Sequence, residues 1–397
     1  MNDIAATDAA ASPAGARYTL WQLVGYMLGL GTWGFGGPVA LVGYMYRDLV
    51  EKRAWISESD YKEGMALAQL MPGPLAAQLA IYLGYVHHRI LGATLVGLAF
   101  VLPSFFMVVA IGAAYVAYGG IVWMQSVFYG VGAAVIGIIA ISAWKLTAKN
   151  IGKDKLLWAI FAVSLVLTVA TQSENVFLFL GSGVLVWFMR ARPRRGGGTT
   201  VYSFAGPVVA FFATDTLDWH KLGQIARYFA YAGSFVFGSG LAIVPFLYGG
   251  VVKEYAWLTD RQFVDAVAVA MITPGPVVIT TGFIGFLVQG FWGAVVAALG
   301  TFVPCYLFTI LPAPYFKKHG KRPAIVAFVD GVTAAAIGAI AGAVVVIGQR
   351  SITDAVTAAL ALATAAVLWK FKKLPEPVIV AAAAVIGLVV HPLMAHA

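Results

Sequence analysis

The stretch Met71-Pro72-Gly73-Pro74 decides the fold, because it interrupts an apolar segment and returns later as Thr273-Pro274-Gly275-Pro276. The motif Trp55-Ile56-Ser57-Glu58 precedes the first copy, and Trp257-Leu258-Thr259-Asp260 precedes the second, at the same offset of 202 residues (273 − 71 and 257 − 55). Several glycines and a proline repeat with a one-residue slip, pairing Gly84 with Gly285, Gly92 with Gly293 and Pro103 with Pro304. A register held over about a hundred residues indicates an internal duplication.

Composition places the chain in a membrane. Hydrophobic residues make up 61% and charged residues 11% of the sequence, and the mean hydropathy is +0.86. Soluble domains are about 45–50% apolar and about 25% charged. Several apolar stretches are long enough to cross a bilayer as helices, which satisfy all their backbone groups internally. The predicted fold class is therefore an all-α polytopic membrane protein with two repeats.

The predicted organisation has two membrane repeats joined by a basic linker. Residues 1–17 form a disordered lead-in, 18–189 the first repeat, and 190–227 a Gly-rich linker with a short apolar segment, Val201 to Thr214. The second repeat covers 228–391, and 392–397 form a C-terminal tail. The net charge of +9 comes from Lys and Arg in short loops, which argues for topology and against nucleic acid as a partner.

The distribution of positive charge predicts that the two repeats have opposite orientations. If the two Pro-Gly-Pro stretches enter and leave on the same side, only four of the 26 Lys and Arg residues face outward, namely Arg17, Lys253, Arg261 and Arg350. This arrangement has ten crossings and two re-entrant segments. The alternative, in which every stretch crosses, has thirteen. Both alternatives make the repeats inverted with respect to each other.

The candidate substrate site lies where the helices are predicted to break. Pro and Gly interrupt helices, and broken helices at membrane depth need a protein or water-filled surrounding. Helix N-termini present N–H groups that suit an anion, and breaks at matching repeat positions are typical of transporter sites. The alternative is that the breaks are packing kinks and that the nearby polar side chains bond neighbouring helices. The candidate residues are Phe35, Gly36, Gly37, Pro38, Gln69, Pro72, Gly73, Pro74, Gln78, Gly238, Ser239, Gly240, Thr273, Pro274, Gly275, Pro276 and Thr280.

Three acidic residues are candidates for taking up a coupling proton. Glu63 and Asp265 occupy equivalent positions before the two Pro-Gly-Pro motifs, and Asp330 precedes Gly331-Val332. The alternative for Glu63 and Asp265 is helix capping at the membrane edge. The alternative for Asp330, which aligns with Tyr129, is pairing with a basic residue, and we favour that alternative.

Other kinds of function find little support in the sequence. His87 and His88 lack further ligands nearby, so no metal site is expected, and lone Cys305 is interpreted as a buried apolar residue. There is no Walker motif and no catalytic constellation, so we expect neither an enzyme nor a cofactor.

The ordered set Gly34-Phe35-Gly36-Gly37-Pro38, Trp55, the two Pro-Gly-Pro motifs and Gly331-Val332 resembles the chromate ion transporter family in its duplicated, long-chain form. The resemblance implies efflux of chromate from the cytoplasm, resistance to chromate, and sulfate as a similar dianion. Ser239-Gly240 stands where the first half has Gly37-Pro38, which predicts different roles for the two halves.

The hypothesis is a secondary transporter that exports chromate by alternating access, with a proton as the candidate coupling ion. An anion channel, or a carrier of sulfate or another oxyanion, is the alternative. A membrane enzyme or assembly subunit is disfavoured, and the oligomeric state is open.

Overall fold

A computed structural model describes residues 18–35, 37–118, 122–171, 176–190, 218–238, 243–319, 323–371, 374 and 376–395. The predicted lead-in and most of the predicted linker, including Val201 to Thr214, lie outside the described residues. So do three of the candidate site residues, Gly36, Ser239 and Gly240.

The chain is an α-helical, multi-pass membrane protein, as predicted. The first half contains α1 (Leu20–Trp33), α2 (Gly37–Met45) continuing as a π-helix (Tyr46–Lys52), α3 (Glu58–Leu70), strand β1 (Gly73–Pro74), α4 (Leu75–Tyr118), α5 (Val122–Asn150), α6 (Lys155–Thr171) and α7 (Val176–Arg190). The second half contains α8 (Trp219–Ser234), strand β2 (Phe237–Gly238), α9 (Ile243–Leu247) continuing as a π-helix (Tyr248–Glu254), α10 (Asp260–Ile272), a 3₁₀ turn (Val277–Ile279), α11 (Thr280–Ile310), α12 (Ala313–His319), α13 (Pro323–Ser351), α14 (Ala355–Lys370) and α15 (Glu376–Ala395).

Four described stretches are long and apolar enough to cross a bilayer. They are Leu75–Tyr118, Gln125–Ala148, Val277–Phe316 and Pro323–Gln349, and shorter apolar helices accompany them.

Three helices begin earlier than the apolar stretches suggest, because their first turns are polar. Ser57 caps α3 and Thr259 caps α10 through side-chain bonds to the backbone N–H groups of Asp60 and Gln262. Helix α8 begins at Trp219, within the range assigned to the linker, and its first turns carry His220 and Lys221. Hydropathy alone does not detect such amphipathic starts.

Helices α4 and α11 each fold into two arms at equivalent positions. In α4 the backbone turns at Arg89 (φ 51°, ψ −143°), which separates a first arm, 75–88, from a second arm, 90–118. In α11 the turn is at Gly290 (φ 59°, ψ −150°). A Cβ on Gly84 or Gly92 would overlap the other residue's carbonyl oxygen, and the pair Gly285 and Gly293 behaves in the same way. These glycines therefore let the two arms cross in close contact.

The two halves exchange helices. α5 packs against α14 and α15 of the second half, whereas α13 packs against α6 and α7 of the first. A Cβ on Gly130 would overlap the Ala383 carbonyl oxygen, and a Cβ on Gly331 would overlap that of Ser182. Neither half therefore buries its long central helix alone.

Contacts along α5 fix its direction relative to its neighbours. Gly137 approaches Thr364 and Trp144 contacts Trp369, with ring centroids 5.9 Å apart, so α5 runs parallel to α14. At its other end Ser126 bonds the His391 ring (Oγ to Nδ1, 3.0 Å). Gly130, one turn later, meets Ala383, so α5 runs antiparallel to α15.

Candidate functional site

The first Pro-Gly-Pro motif separates two short helical segments and pairs with the second half. Helix α3 ends at Leu70, and Gly73 has a φ of 142°, a conformation that glycine adopts at little cost. β1 pairs in parallel with β2, and the Gly73 N–H donates to the Val236 carbonyl at 2.5 Å. Beyond the motif the first arm of α4 returns along α3, since a Cβ on Gly64 would overlap the Tyr82 ring.

The second Pro-Gly-Pro motif makes the reciprocal contact. Helix α10 ends at Ile272, Gly275 has a φ of 90°, and its N–H donates to the Gly34 carbonyl at 3.0 Å. Donors and acceptors are displaced by the same 202 residues (275 − 73 and 236 − 34). We call the contacts Gly73–Val236 and Gly275–Gly34 the crossed backbone contacts. We call the segments that begin at Gly34 in the first half and at Val236 in the second half the Gly-rich breaks. Each contact joins the Pro-Gly-Pro motif of one half to the Gly-rich break of the other.

The crossed backbone contacts correct one expectation. The sequence offers the amides of both Pro-Gly-Pro motifs to an anion, but the Gly73 and Gly275 N–H groups already donate to carbonyl oxygens. A buried N–H is costly without a partner, so the opposite half supplies one. The N–H groups that remain for an anion are the first ones in the segments that follow the motifs. After the second motif these belong to Val277 and Val278, because the Ile279 N–H donates to the Pro276 carbonyl at 2.9 Å.

The threonine hydroxyls near the second motif bond their own backbone. Thr273 donates to Val269 (2.6 Å), Thr280 to Val277 (2.7 Å) and Thr281 to Val278 (3.1 Å). A hydroxyl has a single hydrogen, so none of the three donates to an oxyanion in this conformation.

The two candidate glutamines lie in different surroundings. Gln69 is exposed, near the end of α3. Gln78 is fully buried (0% exposed) in the first arm of α4, and its Nε2 donates to the Pro72 carbonyl at 2.7 Å. Its Oε1 is buried and has no hydrogen-bond partner in the described part of the chain. The structure therefore places Gln78, and not Gln69, against the first break.

Ser104 is a residue that the sequence analysis missed. Its buried Oγ lies 2.7 Å from the Pro274 carbonyl oxygen and 3.2 Å from that of Gly31, so it joins the second arm of α4 to α1 and to the second motif. The available signal was a hydroxyl directly after Pro103 in an apolar stretch. Its counterpart is Cys305, which is also buried but is a weaker donor.

Asp265 is buried in the protein, and the expected role in capping its helix is wrong. It is 4% exposed and accepts a hydrogen bond from the Tyr115 hydroxyl at 2.8 Å, while Thr259 caps its helix. Tyr115 also contacts the Phe283 ring, with centroids 5.7 Å apart. The equivalent Glu63 is half-buried, interacts with Tyr82, and does not cap α3 either, since Ser57 does.

Asp330 belongs to an ion-pair cluster. The Arg190 guanidinium donates to Asp330 at 2.7 Å and also pairs with Asp154. The Leu157 N–H and Arg190 hold the pKa of Asp154, in the turn before α6, below its usual range. The other half has Tyr129 donating to Asp354 (2.8 Å) at the corresponding place, with the His391 ring 5.0 Å from that of Tyr129.

The other candidate residues complete the two breaks. Pro74, Pro274 and Pro276 are buried, and Phe35, Pro38 and Pro72 are half-buried. Gly37 begins α2, and Gly238 lies in β2. Among the described residues no group of three His, Cys, Asp or Glu side chains could hold a metal ion.

Comparison with known proteins assigns the duplicated segments to a family. The chromate transporter family matches residues 21–187 and again 223–388, so each half carries the family pattern. The chain belongs to the chromate transporter family.

Relatives of this chromate transporter family member match over nearly the whole chain. The chromate transport protein of Cupriavidus metallidurans is 70% identical over 96% of this chain and 95% of its own length. A probable chromate transport protein of Synechococcus elongatus is 62% identical, covering 94% of this chain and 96% of its own length. The chromate transport protein of Pseudomonas aeruginosa is 29% identical over 98% of this chain and 96% of its own. No solved structure matches the chain.

Proposed function

We propose that this protein is a secondary transporter that exports chromate across the cytoplasmic membrane by alternating access and so confers chromate resistance. The observation that carries the proposal is the pair of crossed backbone contacts. Each half forms a backbone hydrogen bond to the broken helix of the other. A rearrangement in one half therefore changes the contacts at the break in the other half.

The halves act as inverted repeats in this proposal. α5 and α13 are equivalent in the duplication, and α5 runs parallel to α14. α14 follows α13 after a short turn, and consecutive spans joined by short turns run in opposite directions. Equivalent helices α5 and α13 are therefore antiparallel, which supports a pseudo-two-fold axis in the membrane plane.

Chromate binds between the two breaks in this proposal. The first turn of the α4 arm, which contains buried Ala76 and Ala77, and the turn at Val277 and Val278 supply N–H groups and the positive ends of helix dipoles. Gln78 supplies a buried amide beside Pro72. Phe35, Pro38 and Gly238, at the two Gly-rich segments, complete the site.

Asp265 is the proposed coupling group. Among the described residues it forms no salt bridge, and Arg261, one turn earlier, acts on it only at longer range. Burial favours the protonated form of a carboxyl. Its hydrogen bond from Tyr115 on α4 joins the two halves, so that protonation of Asp265 changes a contact between them. Asp330 pairs with Arg190, which makes it the weaker candidate.

Uptake of labelled chromate into inverted membrane vesicles tests the proposal. We expect concentrative uptake that collapses when an uncoupler dissipates the proton gradient, and competition by sulfate and molybdate reports the preference among oxyanions. Passive equilibration that is insensitive to the uncoupler would identify a channel. Faster uptake of sulfate than of chromate would make sulfate the physiological substrate.

A further inference from the structure

The Gln78 amide is held in one orientation by the first break. Its Nε2 donates to the Pro72 carbonyl at 2.7 Å, and exchanging the nitrogen and oxygen atoms would bring two acceptors together. The amide also lies against Gly73, since a Cβ at Gly73 would be 2.6 Å from the Gln78 amide carbon. The orientation of Oε1 is therefore fixed.

Gln78 Oε1 is consequently available to accept a hydrogen bond. The residue is 0% exposed, and its Oε1 has no partner in the part of the chain that the structure describes. A buried acceptor without a partner costs free energy that a ligand with a donor recovers. It stands in the first turn of the 75–88 arm, whose N–H groups attract an anion.

A hydrogen-bond acceptor beside an anion site discriminates between oxyanions by their protonation state, because it favours an oxyanion that carries an O–H group. A fully deprotonated tetrahedral dianion carries only acceptor oxygens, so one of them would face Gln78 Oε1 without a hydrogen between them. Hydrogen chromate carries one O–H near neutral pH, whereas sulfate and selenate carry none. A site that hydrogen-bonds a substrate O–H rejects analogues that lack it.

We propose, on the basis of the function proposed above, that the site takes the singly protonated oxyanion, with its O–H donated to Gln78 Oε1 and its remaining oxygens facing the N–H groups of the arm. Selection of hydrogen chromate over sulfate then follows from a neutral amide, without a charged side chain.

Protein groups that titrate near the arm have to be separated from titration of the substrate. Glu63 on α3, which interacts with Tyr82 on the arm, and Asp265 on α10, which bonds Tyr115, lie on helices packed against α4. His87 and His88 end the arm itself. The other charged residues of α3 and α10 lie in the first two turns of their helices: Glu58, Asp60, Lys62, Asp260 and Arg261. Their protonation affects every anion alike, whereas protonation of the substrate affects chromate and leaves selenate unchanged.

The test is equilibrium binding of chromate and of selenate, an ion of similar size, to the purified full-length protein between pH 6 and pH 8. We expect the affinity for total chromate, relative to that for selenate, to fall about tenfold per pH unit above the pKa of hydrogen chromate. Near pH 6 chromate should bind at least about tenfold more tightly than selenate. Equal affinities with parallel pH profiles would overturn the proposal.

Variants assign the effect to Gln78. In Gln78→Met, with Gln78→Leu as a second variant, the ratio of chromate to selenate affinity should approach one at every pH. Thr309→Val is the control. It removes a buried hydroxyl that bonds the Cys305 carbonyl of its own helix, and it should keep the wild-type ratio. A wild-type ratio in the Gln78 variants would show that Oε1 serves an internal water only.

Failure of the inference is distinct from failure of the proposed function. If the wild-type protein transports chromate but binds selenate equally well, the proposed function stands and the inference fails. If it neither binds nor transports chromate, both fail.

Discussion

At the residue scale, Gly275 is a position at which a single added methyl group should be costly. It has a φ of 90°, and a Cβ there would overlap Ser104 Oγ, which bonds the adjacent Pro274 carbonyl. Gly275→Ala should lower the stability by at least about 1–3 kcal/mol through backbone strain and should abolish transport, because the Gly275–Gly34 contact is lost. The measurements are the melting temperature in detergent and uptake into vesicles.

Gly25→Ala is the matched control for that substitution. Gly25 lies in α1, is exposed, and has nothing within 4 Å of an added Cβ. Alanine should therefore be neutral or stabilise the helix by about 0.5–1 kcal/mol. If both variants behave alike, the tight packing around the second motif does not limit transport.

Asp265 carries the residue-scale prediction about coupling. Asp265→Asn keeps an oxygen that accepts from Tyr115 but cannot take up a proton. We expect the chromate accumulation ratio to fall to about 1, with passive exchange retained, because the gradient can no longer drive transport. Asp330→Asn, whose carboxylate pairs with Arg190, should keep the response to the proton gradient. Accumulation of chromate by Asp265→Asn at the wild-type level would remove Asp265 from the coupling role.

At the scale of single elements, the interruption between α3 and the first arm of α4 is the feature to test. Replacing Pro72, Gly73 and Pro74 with alanines should favour continuous helix, separate Gly64 from Tyr82 and remove the Gly73–Val236 contact. Transport should be lost while membrane insertion is retained, as measured by chromate uptake and by protein recovered in the membrane fraction. Pro392→Ala, in the last turn of α15, is the control and should transport normally.

The elements also show what the sequence could predict. Duplicated Pro-Gly-Pro motifs identify where helices stop, since Pro and Gly act locally through the backbone. Thr273 and Thr280 bond carbonyls four and three residues earlier in the chain, a local competition that residue type alone left open. The Gly73 bond depends instead on which carbonyl of the other half lies nearby in three dimensions. Burial of Asp265 likewise depends on packing against Tyr115, 150 residues away along the chain.

At the scale of the whole molecule, the duplication accounts for more than the sequence analysis used. In the sequence, the matched glycines Gly130 and Gly331 indicate only that the chain is duplicated. In the structure they are the points at which each half packs against the last helices of the other. Exchange between halves is a long-range property, and a pattern within one half does not reveal it.

The proposed inverted arrangement leads to the last prediction, which concerns the turns between α5 and α6 and between α13 and α14. Lys153 and Thr353 are exposed and occupy equivalent places beside Asp154 and Asp354. In inverted repeats, equivalent turns lie on opposite sides of the membrane. In intact cells a membrane-impermeant maleimide should therefore label only one of the variants Lys153→Cys and Thr353→Cys. The positive-charge distribution places Thr353 outside.

Inverted vesicles provide the reciprocal measurement, in which the labelling pattern of the two variants should reverse. The native Cys305 is fully buried and should stay unlabelled in both preparations, so it does not need to be replaced. Labelling of both variants from the same side would show that the halves are parallel. The crossed backbone contacts would then join two breaks without the pseudo-two-fold axis that alternating access requires here.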